Sequence, residues 1–278
     1  MSTDGSKEIA LQYNAIVINI PAGTFDHGLT RNIGAQKAKG DFIYFTVQDA
    51  YLADNKMLAK MVNHFTDPVL MAVTGSQAVP HDIDKNPAVW YKRFSDPIEQ
   101  IIQYEPMEFE KLSLQDQFQL NGWDDVNAMY RKTILFEIPF IKTNYAEDKF
   151  WANSALLKGY KLMYDPGIIV FHYHHLDFAY SFKEKFITSF NFLNYFTVLP
   201  LFPSFLNIVI KRIFHLLFKI KGITNRQKLY WVYHNIAQYS GFMASVILFR
   251  TSYFLGGDKL IKKVFNKVCS VIPIGRQR

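Results

Sequence analysis

The chain has 278 residues, of which 49% are hydrophobic and 16% aromatic, so it can bury one sizeable core with an appendage beside it. Its one cysteine, Cys269, excludes an intramolecular disulfide, and the first residues lack the cationic and apolar segments of a secretion signal. Residues 181–278 carry 15 of the 31 Lys and Arg residues but only 2 of the 24 Asp and Glu residues. We therefore expect an acidic domain at residues 1–180 and a basic, aromatic region at residues 181–278.

Helical and strand-like segments alternate along the first 180 residues. In chain order they are the helix SKEIALQY, the β-rich run AIVINI, the helix HGLTRNIGAQKAKG closed by Gly40, the strand DFIYFTV, the helix NKMLAKMVNHF and the buried strand PVLMAVTG. After an irregular stretch from about Ala78 to Asp125 come a strand and helix in VNAMYRKTILFEIPF, a helix and strand in NYAEDKFWANSALLKGYKLMYDP, and the strand GIIVFHYHH. This order predicts a mostly parallel sheet with helices on both faces.

The basic charges after residue 180 interrupt strongly apolar segments such as FLNIVIKRIFHLLFKIKG. That pattern is typical of an amphipathic helix at an anionic membrane surface, whereas an arm that binds nucleic acid is usually polar throughout. Two uncharged segments, 186–210 and 229–249, are long enough to span a bilayer, but the first contains prolines and both contain polar residues. We expect the region to lie in the interface or fold onto the body, and we predict no nucleic-acid partner.

The strand DFIYFTV delivers one carboxylate, Asp49, to its C-terminal tip. Ligands of α/β sheets bind beyond the carboxyl ends of strands, and Mg²⁺ is typically held by one or two carboxylates plus phosphate oxygens. Asp49 could therefore hold a cation on a diphosphate. The alternative is that it is a turn or capping residue.

Two further groups could carry chemistry. Glu147 and Asp148 begin a helix, where they either offset the helix dipole or supply a general base. In FHYHH, the alternation of a strand places His172 and His174 on one face, where they could complete a metal site or contact phosphate, or be structural.

Five blocks, taken in order, resemble the family 2 inverting glycosyltransferases, and within them the rhamnosyltransferase-like branch. They are TDGSKEIA, FDHGLTRNIGAQKAKGDFIYFTVQDAYLAD, DDVNAMYRK, AEDKFWANSALLKGYKLMYDP and VFHYHHLDFAYSFKEKF, and they cover roughly residues 3–195. The resemblance implies a GT-A fold, a nucleoside-diphosphate sugar donor, a divalent metal (Mg²⁺ or Mn²⁺) and a single displacement that inverts the anomeric carbon. Together with the basic region at residues 181–278, it also predicts a lipid-linked or cell-surface glycan acceptor, with the protein bound peripherally at the cytoplasmic face of the membrane.

The same resemblance assigns roles by position. Asp148 would be the general base, with Glu147 beside it contacting the acceptor or supporting the base. Asp49 would hold the metal together with one of His172 and His174. The remaining assignments are Asp4, Arg31, Asn32, Gln48 and Asp49 on the donor side, and Asn127 and Arg131 on the acceptor side.

Three positions depart from the family pattern. Met1 lies inside the block that matches DGSTDGT, which implies that the first strand of the fold, with its nucleobase loop, is missing. Val47 stands where the branch commonly has Thr, and Ser76 stands where it often has Arg. These departures favour a second hypothesis, in which the chain is a truncated, catalytically impaired homologue that acts as a membrane-associated binding or scaffold partner.

Overall fold

A computed structural model describes residues 4–21, 23–79, 98–143, 146–173, 178–196 and 202–268. Its helices are α1 (Ser6–Gln12), α2 (His27–Lys37), α3 (Met57–His64), α4 (Pro106–Glu110), α5 (Leu114–Asn121), α6 (Lys132–Glu137), α7 (Glu147–Leu157), α8 (Phe178–Phe196), α9 (Phe202–Phe218) and α10 (Asn225–Val268). Its strands are β1 (Phe42–Thr46), β2 (Ala50–Leu52), β3 (Leu70–Ala78), β4 (Gln100–Ile102), β5 (Asn127–Arg131) and β6 (Lys161–His172). Most of the elements expected in residues 1–180 are confirmed.

The strands form one sheet in the order β1-β5-β3-β6-β2, with β4 also paired to β6. The pairings β1–β5, β5–β3, β6–β2 and β6–β4 are all antiparallel. The prediction of a mostly parallel sheet is therefore wrong. Alternation along the chain does not fix which strands become neighbours, and β5 inserts between β1 and β3 in the opposite direction.

The run AIVINI, residues 15–20, is the clearest difference from the predicted elements. Within the described residues no strand pairs with it, and Ile16 is 72% exposed. A β-rich sequence becomes a strand only where a neighbour satisfies its backbone N–H and C=O groups, which is information that the sequence of one segment does not contain.

Two other predicted element boundaries differ from those in the structure. Helix α2 ends before the predicted stop at Gly40, because Ala38 is extended and its carbonyl accepts a hydrogen bond from Lys132 Nζ (2.7 Å). The two strands expected on either side of Gly167 are one continuous strand, β6. The side chain of Asp165 accepts the Gly167 N–H (2.7 Å), which holds the chain at this point.

The chain divides into two compact units. Unit 1 comprises Met1–Val47, Asp54–Gly75 and Asp96–Ile168, and unit 2 comprises Gln48–Ala53, Ser76–Ser95 and Ile169–Arg278. Unit 2 thus contains short segments of the predicted 1–180 domain as well as the basic region.

Unit 1 has an aromatic core beneath the start of helix α7. Tyr130 and Trp151 pack edge to face with their ring centroids 4.6 Å apart, and Trp123, Phe140 and Phe45 surround them. Such edge-to-face packing of large rings is favourable beyond the area it buries. The core therefore gives the N-terminal turn of α7 a rigid support.

Unit 2 has a core of its own between helices α8 and α10. Helix α10 comes close to α8 at Gly241, where a Cβ would overlap the carbonyl oxygen of Phe182. The buried residues of this core are Phe190, Leu193, Phe242, Val246, Phe249, Ile261 and Phe265. Of the helices that the structure describes, none combines the length and the apolar character needed to cross a bilayer.

Candidate active site

Helix α7 begins with Glu147 and Asp148, the two carboxylates expected to be catalytic. The residue before them, Ala146, has a left-handed backbone (φ 57°), which is costly for a residue with a Cβ. This turn places both carboxylates at the helix N-terminus, where the helix dipole stabilises negative charge. Glu147 is buried, and Asp148 is partly accessible.

The carboxylate of Asp148 is held by main-chain donors. It accepts hydrogen bonds from the N–H groups of Lys149 (2.7 Å) and Asp125 (3.3 Å). Burial, and then the negative charges of Glu147 and Asp124, raise the pKa of Asp148 to about 6. A carboxylate with this pKa is ionised at neutral pH and still basic enough to take a proton.

Arg31, on helix α2, bridges two other carboxylates of unit 1. Its Nη1 donates a hydrogen bond to Glu147 Oε1, and its Nε lies 3.1 Å from Asp125 Oδ2. Burial opposes the charge of the guanidinium, but Asp125, Glu147 and Asp148 more than compensate, so the pKa of Arg31 is raised. Arg31, predicted on the donor side, therefore contacts Glu147, one of the two carboxylates predicted to be catalytic, and Asp125.

Asp125 completes this cluster, and sequence reasoning assigned it no role. It is 1% exposed, and Oδ1 accepts a hydrogen bond from the Tyr130 hydroxyl, which in turn accepts the indole N–H of Trp123 (2.6 Å). Burial raises the pKa of Asp125, against the opposing effect of Arg31. The adjacent acids in GWDD, directly before a strand, were the available signal.

Helix α2 is placed so that Arg31 reaches this cluster. The Asp26 side chain caps its first turn, and at Gly28 a Cβ would overlap the carbonyl oxygen of Ile141. The amide of Asn32 both donates to the Phe140 carbonyl (2.8 Å) and accepts the Phe140 N–H (3.0 Å). These contacts give Asn32, predicted on the donor side, a role in fixing the helix.

In unit 2, Asp49 and His172 lie together as the sequence predicts. Asp49 Oδ1 is 3.2 Å from His172 Nε2, and His172 Nδ1 is 2.7 Å from Gln77 Oε1. Because an amide oxygen can only accept, Nδ1 donates to it. In the neutral form of the ring, Nε2 would then carry the lone pair on the side of Asp49. Burial, Glu184 and then Asp49 raise the pKa of the nearby Tyr180 to about 12.

This donor set fits a divalent cation. A carboxylate oxygen and an imidazole nitrogen 3.2 Å apart can both reach one ion at about 2.1 Å. The bond from His172 to Gln77 fixes the ring tautomer, as outer partners of metal-ligating histidines usually do. His174, the other predicted ligand, lies outside the described residues.

Comparison with known proteins identifies the family of residues 1–138. Residues 1–138 match the sequence pattern described as Glycosyl transferase family 2. They belong to glycosyl transferase family 2. The match and the helix-flanked sheet support the GT-A-like fold expected from the sequence.

Two curated rhamnosyltransferases resemble the chain. It is 34% identical over 179 residues to the O-antigen chain rhamnosyltransferase RfbN of Salmonella typhimurium, which covers 63% of this chain and 55% of that protein. It is 31% identical over 191 residues to WbaN of Salmonella anatum, also an O-antigen chain rhamnosyltransferase, which covers 67% of this chain and 58% of that protein. The chain thus spans little more than half the length of these relatives.

One solved structure is also similar. The mannosyltransferase PcManGT from Pyrobaculum calidifontis, in complex with GDP-Man and Mn²⁺, is 12% identical and superimposes with a TM-score of 0.43 over 98% of this chain and 70% of that chain.

Two other residues predicted on the donor side, Asp4 and Gln48, are exposed. The side chain of Asp4 accepts the Ser6 N–H (3.1 Å) at the start of helix α1. Gln48 is exposed in the turn after β1, and Val47 is half-buried before it. These contacts leave the donor-side roles of Asp4 and Gln48 as predictions.

The two predicted acceptor-side residues hold the framework of the family 2 domain. Asn127 is buried and donates to the Ile168 carbonyl (2.9 Å). Arg131 donates to the carbonyls of Leu70, Phe65 and Asp67 at 2.8 to 2.9 Å. The structure accounts for both side chains through main-chain contacts and lends the acceptor-side assignment no support.

A further group of potential metal ligands in unit 1 comprises His64, Glu99 and Asp165, whose ligand atoms lie within 4.8 Å of one another. His64 Nε2 is 2.8 Å from Asp165 Oδ2, and the other Asp165 oxygen accepts the Gly167 N–H. The group is partly exposed, and these bonds account for His64 and Asp165 without an ion.

Proposed function

We propose that the chain transfers rhamnose or a similar sugar, with inversion, from a nucleoside diphosphate to a lipid-linked or cell-surface glycan. The proposal is supported by the family of residues 1–138 and by the names of the two curated relatives. The observation that carries it is the Asp148 carboxylate, held by two main-chain N–H groups with its pKa raised to about 6.

In the proposed reaction Asp148 is the general base. It takes the proton of the acceptor hydroxyl while that oxygen forms a bond to the anomeric carbon of the donor sugar. The bond between this carbon and the diphosphate oxygen breaks, and the nucleoside diphosphate leaves with the electron pair. Attack on the face opposite the leaving group inverts the anomeric carbon. A positioned base of this kind contributes about 10²- to 10⁴-fold to the rate.

On the donor side, we assign Asp49 and His172 to hold Mg²⁺ or Mn²⁺. A cation bound there would stabilise the negative charge of the departing diphosphate. Gln77 orients the imidazole of His172, whose Nε2 lies 3.2 Å from Asp49 Oδ1. Gln48, the exposed residue directly before Asp49, is assigned to donor binding together with Asp49 and His172.

Helix α9 supports a proposal that the chain binds an anionic membrane surface peripherally, at the cytoplasmic face. Its exposed apolar residues Leu206, Ile210, Phe214 and Phe218 recur every four residues and so share one face of the helix. Exposed lysines accompany them at positions 211, 219 and 221. An apolar stripe with lysines beside it suits the boundary between acyl chains and anionic headgroups.

The test is the release of nucleoside diphosphate from a panel of sugar nucleotides, with Mn²⁺ and membrane extract as the acceptor source. We expect release from at least one donor and loss of release when the metal is chelated. Absence of release from every donor overturns the proposed activity.

Val47 favours one alternative, because it leaves Asp49 as the sole carboxylate at the tip of this strand. In that alternative the chain is a catalytically impaired homologue that acts as a membrane-associated binding or scaffold partner. Calorimetry separates the two functions: metal-dependent donor-nucleotide binding at millimolar affinity or better argues for the transferase, and none argues for the scaffold.

A further inference from the structure

One guanidinium in unit 1 faces more carboxylates than it can neutralise. Arg31 contacts Asp125 and Glu147, and Asp148 follows directly on helix α7. A carboxylate that pairs with the guanidinium becomes less basic, so the pairing of Arg31 determines which carboxylate remains a base. This partition is set by geometry, since each contact uses a different nitrogen of Arg31.

We propose that Asp125 is a positioning residue for the general base: it holds Arg31 on itself and on Glu147, so that Asp148 is left as the carboxylate that accepts the proton. The inference rests on the proposed function, in which Asp148 is that base. Asp125 acts through Arg31 and through its own N–H, without contacting the substrate.

The hydrogen bonds around Asp125 favour its ionised form. Its Oδ1 accepts the hydroxyl of Tyr130, whose oxygen already accepts the Trp123 indole N–H, and its Oδ2 faces Arg31 Nε. A protonated Asp125 would leave either its own proton or that of Tyr130 without an acceptor among these groups. Burial raises the pKa of Asp125, and the Tyr130 hydroxyl and Arg31 oppose that rise. On these contacts we assign Asp125 as the anion that binds the guanidinium.

Asp148 has different partners. Its carboxylate is held by the main-chain N–H groups of Asp125 and Lys149, whereas the Arg31 hydrogen bond goes to Glu147. Neutral N–H donors orient a carboxylate while offsetting its charge less than a guanidinium does. Asp148 also retains partial access to solvent, as a group that must meet an acceptor hydroxyl requires.

The titratable and charged groups around Asp125 and Asp148 come from three elements and from the loop before β5. They are Arg31 on α2, Asp124 and Asp125 in the loop, Tyr130 on β5, and Glu147, Asp148 and Lys149 on α7. Asp125 contributes a negative charge of its own and holds the positive charge of Arg31 on itself and on Glu147. Both effects make Asp148 more basic. Burial, Glu147 and Asp124 raise the pKa of Asp148, and Lys149 and Arg31 oppose that rise.

The test follows the carboxyl carbon of Asp148 by NMR as the pH is varied in protein labelled with ¹³C-aspartate, and needs no substrate. The signal is assigned by its loss in Asp148→Asn. In Asp125→Asn a negative charge disappears and Arg31 is released toward α7, so the Asp148 titration should move to lower pH by about 1–3 units. The exposed Glu108→Gln serves as the matched control and should leave it in place.

A second variant covers the case in which Asp125→Asn does not fold. Tyr130→Phe removes the hydroxyl donor that favours ionised Asp125, so Asp148 should again titrate at lower pH, by a smaller amount. An unchanged Asp148 titration in a folded variant overturns the proposal, because a packing role alone would not move it. Failure of the proposed function has a different signature: no nucleoside diphosphate is released from any donor, whatever the titrations show.

Discussion

Replacing Arg31 by Met tests the buried charge cluster of unit 1 most severely. The guanidinium contacts Asp125, which is 1% exposed, and Glu147, which is 8% exposed, so the variant leaves two carboxylates without their cation. Removing one partner of a buried pair typically costs about 3–5 kcal/mol. We expect the free energy of unfolding at pH 8 to fall by about that amount.

The loss of stability in Arg31→Met should be larger at high pH than at low pH. Without Arg31 the folded-state pKa of Asp125 rises further above its unfolded value. At pH values between the unfolded-state and folded-state pKa of Asp125, the folded variant holds a proton that the unfolded chain releases. The stability of the variant therefore falls as the pH rises. The slope is about 1.4 kcal/mol per pH unit for each such proton. Arg31→Met should therefore lie closer to the wild type at pH 5 than at pH 8.

Urea unfolding of both proteins at pH 5 and pH 8 measures this difference, with the exposed Arg226→Met as the matched control. A loss below about 1 kcal/mol at pH 8, or the same loss at both pH values, would refute the reasoning, because an uncompensated buried carboxylate must respond to protonation.

Three further outcomes are expected. Asp49→Ala should abolish Mn²⁺-dependent donor binding in calorimetry while circular dichroism stays unchanged; retained binding would remove Asp49 from the metal site. Gly28→Ala should lower the free energy of unfolding by about 1–3 kcal/mol, because its Cβ meets the rigid carbonyl of Ile141; an unchanged urea midpoint would contradict the close packing. Ile210→Glu and Phe214→Glu should each weaken sedimentation with anionic vesicles, and equal binding would exclude this face of helix α9.

The local elements could be predicted from sequence because each carries its own determinants. Helix α2 has a capping aspartate, Asp26, and helix α7 begins with two acids and stops before Gly159. Strand neighbours could not be predicted in the same way. The antiparallel insertion of β5 and the unpaired run at residues 15–20 both depend on which segment lies alongside, and no local pattern encodes that.

The residues of the candidate site likewise form two groups: those marked by a local sequence pattern and those defined by contacts with distant residues. Asp49, Asp148 and His172 follow strand-end and helix-start patterns, and the contact between Asp49 and His172 was foreseen. The contacts of Arg31 were not, because its partners are 94 and 116 residues away in the sequence. For the same reason the sequence does not identify the buried Asp125, since neither its burial nor its hydroxyl partner can be predicted from GWDD.

The central claim is that the chain transfers a sugar with Asp148 as the general base. The most direct test compares nucleoside diphosphate release by the wild type and by Asp148→Asn, with Mn²⁺, the preferred donor and membrane extract, and with the exposed Glu108→Gln as control. We predict that Asp148→Asn is slower by about 10²- to 10⁴-fold while its urea midpoint and Mn²⁺-dependent donor binding are retained. Release by Asp148→Asn at the rate of the control would contradict the account.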